Sequence, residues 1–105
     1  METMNVFISQ PMKNRPNDEI LEERRQLMEY VQKLYPDRQV KELNSFFASD
    51  IQSRNAPLKM LGMSLELLAE ADVAIFANYW SLARGCKIEH RCCETYNVPI
   101  IDLGD

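Results

Sequence analysis

Residues 83–93 (ARGCKIEHRCC) concentrate the side chains of this chain that are best suited to chemistry. Apolar residues recur there in steps of three and four, which predicts a helix. That apolar side consists of Leu82, Cys86, Cys92, Cys93 and Tyr96. Glu89 falls in its middle, although burying an unpaired carboxylate is costly and raises its pKa. A carboxylate placed there is a candidate acid, base or nucleophile, and a carboxylate nucleophile suits displacement at an anomeric carbon.

The orientation of Glu89 depends on where the apolar side is drawn. If that side is displaced by one residue, Glu89 points to solvent beside Lys87 and Arg91. Helix positions predicted from sequence are uncertain by about two to four residues, so both orientations stay open at this point. The hypothesis of glycosyl chemistry requires the inward one.

The same helix also carries metal-ligand residue types, namely Cys86, Glu89, His90 and Cys93. One straight helix cannot wrap four ligands around an ion, because the first and last are about two turns apart. No histidine or cysteine lies outside this helix. We therefore expect no metal, and we interpret Cys92 and Cys93 as small core residues. A cysteine nucleophile would need His90 as its base, and we expect His90 to face another side.

Two cations, Lys13 and Arg15, precede a predicted helix whose N-terminus carries partial positive charge. A phosphate would be stabilised by both charges and by free backbone amides. The alternative is a pair of solvated surface charges. The loop contains no glycine, and the chain has only three glycines, so a glycine-rich phosphate cradle is absent.

Two aromatic residues, Tyr79 and Trp80, follow the most apolar predicted strand. They could form a platform for a nucleobase, or they could pack in the core or against another subunit. Gly85 would allow a ligand or a backbone to approach the first turn of the helix that holds Glu89.

Composition excludes several classes of protein. The 105 residues fit one domain, residues 1–105, and 46% of them are apolar. The net charge of −4 argues against binding duplex nucleic acid through a basic face. No apolar run approaches the roughly 18 residues of a membrane span. The three cysteines all lie within residues 86–93, which favours free thiols in the cytoplasm.

The elements around these residues alternate between strand and helix. Strands are predicted at residues 5–9, 39–43, 72–77 and 98–101. Asn17, Pro57 and Ser81 are expected to begin the three intervening helices. This pattern predicts an α/β three-layer sandwich with a four-stranded parallel sheet, flavodoxin- or Rossmann-like, in the order 2-1-3-4. Ligands bind such sheets where the order reverses, which brings together the loops at residues 9–15 and 78–85.

Three segments, "VFISQPM", "SLELLAEADVAIFANYW" and "ARGCKIEHRCCETYNVPII", resemble the nucleoside 2-deoxyribosyltransferase-like superfamily. The resemblance is closest to a small branch found in bacterial and phage genomes. That branch has a first strand ending in Ser-Gln-Pro, an Ala-Asp-hydrophobic strand, and a Trp-x-x-x-Arg-Gly-x-x-x-Glu-His helix. The matching residues here are Ser9, Gln10, Pro11, Asp72, Trp80, Arg84, Gly85, Glu89 and His90.

This resemblance implies that Glu89 is the nucleophile in cleavage of a nucleoside or nucleotide N-glycosidic bond. It implies that Lys13 and Arg15 contact a 5′-phosphate, that no cofactor is needed, and that the chain forms a homodimer or a higher homo-oligomer. The substrate-binding residues would be Ser9, Gln10, Pro11, Met12, Lys13, Arg15, Tyr79, Trp80, Arg84 and Gly85.

Three positions depart from the pattern of the superfamily's enzymes. Ser64 occupies the catalytic position of an aspartate, Phe7 that of a tyrosine, and Ala83 that of a polar residue. A serine cannot act as the general acid that a leaving base needs, although Asp50 could fold in from its loop. The rival hypothesis is therefore a non-catalytic nucleotide-binding protein. A third is an interaction protein that packs Phe46-Phe47 and Tyr79-Trp80 against an identical subunit.

Overall fold

A computed structural model describes residues 2–46 and 51–104. Within these ranges four strands alternate with three helices: β1 (Thr3–Ser9), α1 (Asn17–Leu34), β2 (Gln39–Leu43), α2 (Ala56–Leu68), β3 (Val73–Phe76), α3 (Arg84–Tyr96) and β4 (Ile100–Asp102). The strands are parallel and lie in the order β2-β1-β3-β4. This confirms the predicted small α/β fold and its strand order.

Side chains of β1 alternate between two hydrophobic cores, as the period of a strand requires. Val6 and Ile8 pack with Leu27 and Val31 of α1 on one face of the sheet. Phe7 packs with Leu68 of α2 and Cys93 of α3 on the other. The sheet is thus covered on both faces. Phe7, in the position of the enzymes' tyrosine, is a fully buried core residue.

Pro57 lies in the first turn of α2 as predicted, but the starts of α1 and α3 differ from the predicted ones. Pro16, not Asn17, is the N-cap of α1, and its extended backbone (φ −65°, ψ 149°) leads directly into the first turn. Ser81 does not cap α3, because it lies inside a 3₁₀ turn (Trp80–Leu82), and the N-cap is Ala83. Helix α3 ends at a C-cap, Asn97, in the left-handed conformation with φ 63°. In the described part of the chain, no helix is long and apolar enough to cross a membrane.

Asp72 lies at the amino edge of the sheet, remote from the predicted ligand edge. Its Oδ2 accepts a hydrogen bond from the backbone N–H of Asn5 at 2.7 Å, and its own N–H donates to the Asn5 carbonyl at 2.8 Å. Asp72 thus joins β1 to β3.

Candidate active site

The carboxyl edge of the sheet presents a row of three residues from neighbouring strands. Ser9 of β1 is the register partner of Phe76 of β3, which in turn is the partner of Asp102 of β4. Adjacent strands are about 4.8 Å apart, so the row spans roughly 10 Å. Helix α3 contacts both ends of this row, through Glu89 at Ser9 and His90 at Asp102.

Glu89 is directed inward and is only 8% exposed. The hydroxyl of Ser9 donates a hydrogen bond to Oε1 of Glu89 at 2.6 Å. Oε2 has no hydrogen-bond partner within residues 2–46 and 51–104. The predicted inward orientation is confirmed, and the solvent-facing alternative is wrong.

The buried side of α3 is shorter than the sequence indicated. It consists of Cys86, Glu89 and Cys93, whereas Leu82 and Tyr96 are exposed. Leu82 belongs to the 3₁₀ turn before α3, and Tyr96 is the last residue of the helix. The ends of the expected apolar side are thus wrong, and its centre at Glu89 is right.

Burial raises the pKa of Glu89 from its ordinary value of 4.5 to about 7. The hydrogen bond from Ser9 and the positive charge of Arg24 both lower this pKa, but they do not offset the loss of solvation. Glu89 therefore exchanges its proton near neutral pH. A carboxyl group with this property is a strong candidate for acid, base or nucleophilic chemistry.

The cysteines beside Glu89 are poorly suited to nucleophilic catalysis. Burial raises the pKa of Cys86 and of Cys93 to about 11, so both are protonated thiols at neutral pH. Within the described residues, no group of three or more histidine, cysteine, aspartate or glutamate side chains could hold a metal ion.

A buried arginine that sequence reasoning missed lies under the first loop. Arg24 is 2% exposed and donates to Oε1 of Gln10, Oε2 of Glu42 and the hydroxyl of Ser45 at 2.7, 2.7 and 2.9 Å. The Ser45 hydroxyl donates in turn to the carbonyl of Ile8 at 3.2 Å. This network fixes the end of β1 and supplies the positive charge that acts on Glu89.

The two predicted phosphate contacts have different surroundings. Arg15 donates to Oε1 of Glu19, Oε1 of Glu23 and the carbonyl of Pro11 at 3.0, 2.9 and 2.7 Å. Two carboxylates thus already neutralise the guanidinium. Lys13 is exposed. A phosphate at this loop would have to compete with glutamates for Arg15 but not for Lys13, which forms no ion pair with any described residue.

Of the two loop aromatics, Tyr79 and Trp80, one forms contacts within the chain. The indole of Trp80 stacks on the His90 ring with centroids 3.9 Å apart and planes 3° apart, and its Nε1 donates to Oδ1 of Asp102 at 2.8 Å. Phe76 meets both rings edge-on. Tyr79, at φ 66°, is exposed. One face of Trp80 is therefore covered, and Tyr79 is the more accessible aromatic.

Asp102, which sequence reasoning did not single out, joins these groups. Its Oδ2 lies 3.2 Å from Nε2 of His90, and its Oδ1 also accepts from the Gly104 N–H at 2.9 Å. Burial opposes ionisation of Asp102, but the bonds from Gly104, Trp80 and His90 outweigh it and lower the pKa of this carboxyl.

The remaining predicted residues occupy varied positions. Gln10 is buried, and its Nε2 donates to Oε1 of Glu23 at 2.7 Å. Ser64 is buried on α2 and forms no hydrogen bond with Glu89. Half-buried or exposed positions are taken by Pro11, Met12, Arg84 and Gly85. Phe47 and Asp50 lie outside the described residues. The structure therefore links Ser9 to Glu89 and Gln10 to Arg24 by hydrogen bonds, whereas Ser64 forms no hydrogen bond with Glu89.

Two surface grooves lie away from this edge. One, of about 760 Å³, is lined by Gln32, Lys33, Pro36, Arg38 and Gln39. The other, of about 420 Å³, lies between α1 and β2. Neither is lined by Glu89 or Ser9, so the position of the perturbed carboxyl group, rather than groove size, defines the candidate site.

None of the protein-family models, curated proteins or solved structures compared with the chain matches it. The resemblance to the nucleoside 2-deoxyribosyltransferase-like superfamily therefore stays a prediction. The chemistry of the site is argued below from the positions of Ser9, Glu89 and Arg24.

Proposed function

We propose that this chain is a nucleoside or nucleotide N-glycosidic enzyme, a hydrolase or a 2-deoxyribosyltransferase, with Glu89 as its nucleophile. The observation that carries the proposal is the buried Glu89 carboxyl group at the carboxyl edge of the sheet, held through Oε1 by Ser9. Oε2 is unengaged by the described residues, so it is the oxygen available for attack. The motif resemblance supports the same assignment.

In the first step, ionised Oε2 of Glu89 attacks C1′ of the sugar. The C1′–O bond forms as the C1′–N bond breaks, and the electron pair leaves with the base, which takes a proton from solvent or an acid. In the second step, water or a second base attacks C1′, restores the carboxylate and gives up a proton. Both steps pass through an oxocarbenium-like transition state.

Burial of Glu89 favours such a reaction electrostatically. Removal from water destabilises the lone carboxylate, which is why its pKa is raised. Positive charge that develops on the sugar ring in the transition state would compensate this loss of solvation. The Ser9 hydroxyl fixes Oε1, which limits the rotation of the attacking group.

Substrate contacts are assigned to the two loops at this edge. Lys13 is the better phosphate contact, because Arg15 is shared with Glu19 and Glu23. Tyr79 and Trp80 would border the base, and Gln10 and Gly85 would shape the floor. The proposal needs no cofactor, places the chain in a reducing cytoplasm suited to its free cysteines, and includes a homodimer or larger homo-oligomer.

A nucleotide-binding protein without glycosidic chemistry is the second candidate. It is favoured by Ser64, which stands where a catalytic aspartate is expected and forms no hydrogen bond with Glu89. A missing acid lowers rates by about 10²–10⁴-fold, so binding could persist without efficient turnover.

Incubation with a panel of deoxynucleosides and their monophosphates, with free base followed by chromatography, tests the proposal. Base release should fall by at least about 10³-fold in Glu89→Gln, because the nucleophile is removed. Glu94→Gln, the same change at an exposed position of α3, should leave release unchanged. Release that survives in Glu89→Gln contradicts the nucleophile, and tight binding without release supports the second candidate.

A further inference from the structure

Buried polar side chains concentrate around the end of β1. Six polar or charged side chains are buried in the described part of the chain, and all but Ser64 belong to this region. They are Ser9, Gln10, Arg24, Ser45 and Glu89. Arg24 occupies the buried side of α1, between Ile20 and Leu27, where an apolar residue would pack without losing the solvation of a charge. The choice of arginine at this position therefore needs an explanation beyond the packing of α1.

The ion pair of Arg24 does not explain its burial. Nε of Arg24 donates to Oε2 of Glu42 at 2.7 Å, and the Glu42 side chain is 33% exposed. A buried ion pair seldom stabilises a fold more than apolar residues of the same size, because both charges lose solvation. Arg24 also uses Nη1 and Nη2, and both of these nitrogens donate to neutral partners, Gln10 and Ser45.

The two neutral partners of Arg24 hold the residues on either side of Ser9. Gln10 follows Ser9 directly, and its Oε1 accepts from Nη1 of Arg24 at 2.7 Å. The Ser45 hydroxyl accepts from Nη2 at 2.9 Å and donates to the carbonyl of Ile8, the residue before Ser9, at 3.2 Å. One guanidinium group thus fixes the chain immediately before and immediately after the Ser9 hydroxyl.

The amide of Gln10 is engaged at both of its polar atoms. Its Oε1 accepts from Arg24, while its Nε2 donates to Oε1 of Glu23 at 2.7 Å and to the carbonyl of Ile20 at 3.4 Å. All three partners belong to α1, and Gln10 is only 4% exposed. The Gln10 side chain therefore links the residue after Ser9 to α1 and restrains this part of the loop.

We infer that Arg24 is a positioning residue, which aligns the Ser9 hydroxyl with Oε1 of Glu89 by holding the residues before and after Ser9. The hydrogen bonds of Arg24 in the described part of the chain go to other residues, so it acts on Ser9 through these neighbours. Its charge also lowers the pKa of Glu89. The effect on base release rests on the proposed function, whereas the alignment itself can be measured without a reaction.

Carbon-13 NMR of the glutamate carboxyl groups in the full chain, with Glu89→Gln to assign the signal, tests the alignment without a substrate. Ser45→Ala should raise the titration midpoint of Glu89, although it removes no charge, because Ser9 is then less well aligned and its hydrogen bond lowers this pKa. In a Ser9→Ala background, Ser45→Ala should cause no further rise, because the group through which it acts is absent. Ser53→Ala, an exposed serine, is the matched control.

Variants of Arg24 separate its charge from its hydrogen bonds. Arg24→Lys keeps the charge but loses the fork of donors, so it should raise the Glu89 midpoint by less than Arg24→Met, which loses both. In the proposed reaction, Arg24→Lys and Ser45→Ala should each lower kcat, measured at its high-pH maximum, by about tenfold or more, because a misaligned nucleophile acts on the transition state. Arg25→Met, at the exposed neighbour on α1, should change neither quantity.

Circular dichroism checks that each variant is folded, and Ser45→Ala decides the inference where an Arg24 variant does not fold. A Glu89 midpoint that Ser45→Ala leaves unchanged overturns the inference. So does a rise that Ser45→Ala still produces in the Ser9→Ala background, or a kcat that Arg24→Lys leaves unchanged. If wild type releases no base from any nucleoside or nucleotide, the proposed reaction is wrong, and the Glu89 midpoints alone decide whether Arg24 positions Ser9.

Discussion

Two carboxyl groups at the same edge of the sheet have opposite environments. Glu89 is 8% exposed, accepts one hydrogen bond among the described residues, and has its pKa raised to about 7. The Asp102 side chain is 39% exposed, contacts Trp80, His90 and the Gly104 N–H, and has a lowered pKa. The number of hydrogen-bond donors and the access to water set the pKa of each carboxyl group, although both groups lie at the same edge of the sheet.

The difference between Glu89 and Asp102 indicates which of the two carboxyl groups is suited to chemistry and which has a structural role. Asp102 is a satisfied anion that joins the 3₁₀ turn, α3 and the C-terminal end of β4. Glu89 has the opposite character, because it is removed from water without enough donors to stabilise its charge. Titratable groups whose environments push their pKa values apart are typical of acid–base and nucleophilic sites.

The largest expected effect on stability comes from replacing Glu89. Because its folded pKa of about 7 exceeds the ordinary 4.5, its contribution to stability is present below pH 4.5 and is lost as pH rises through 7. The loss amounts to about 3 kcal/mol. Since glutamine does not ionise, urea unfolding of Glu89→Gln should gain about this much over wild type between pH 4 and pH 8. A gain that is equal at both pH values would show an unperturbed carboxyl group, and Glu94→Gln is the control.

A smaller effect of opposite pH dependence is expected at Asp102. Asp102→Asn removes the charge that accepts from Trp80 and contacts His90, and it should lower the free energy of unfolding by about 1 kcal/mol at pH 7. Because the folded pKa is lowered, the difference should disappear as pH falls through that pKa, below 3.8. Fluorescence of the single tryptophan during urea unfolding measures it. A penalty of the same size in acid would mean that the charge of Asp102 contributes nothing.

The smallest effect is expected at the hydrogen bond between Ser9 of β1 and Glu89 of α3. Ser9→Ala removes the hydroxyl that lowers the pKa of Glu89, so this pKa should rise further. In the proposed reaction the ionised form attacks, so base release should increase with pH, and its midpoint should move upward in Ser9→Ala. Ser53→Ala, in an exposed loop, should not move it. An unchanged or lower midpoint in Ser9→Ala would contradict the role given to this hydroxyl.

The buried strand β1 and the orientation of Glu89 could be predicted because both follow from patterns within short segments, and the sheet order followed from the alternation of strands and helices with right-handed crossovers. Val6 and Ile8 alternate with Phe7 as a buried strand requires, and Glu89 lies between Cys86 and Cys93 at helical spacing. Arg24 could have been found by the same reasoning. It lies on the buried stripe of α1, which consists of Ile20, Arg24, Leu27 and Val31.

Other features depend on contacts between distant segments and could not be predicted. The 3₁₀ turn at Trp80–Leu82 delays the start of α3, and a hydrogen bond to Asp102, 22 residues further along, holds Trp80 in it. Ser81 has the right residue type for a cap, but this tertiary contact overrides the local preference. The neutralisation of Arg15, by contrast, involves Glu19 and Glu23, only four and eight residues further along, so this contact was accessible to sequence reasoning.

The bond between Trp80 and Asp102 has a consequence for the orientation of the Glu89 carboxyl group. Trp80 begins the 3₁₀ turn that leads into α3, so its bond to Asp102 ties the approach to that helix to the last strand of the sheet. Loss of this tie would free the approach to α3 to shift, and the Glu89 carboxyl group on that helix would move relative to Ser9. Substitutions at Asp102 should therefore disturb the bond between Ser9 and Glu89, although Asp102 contacts neither residue.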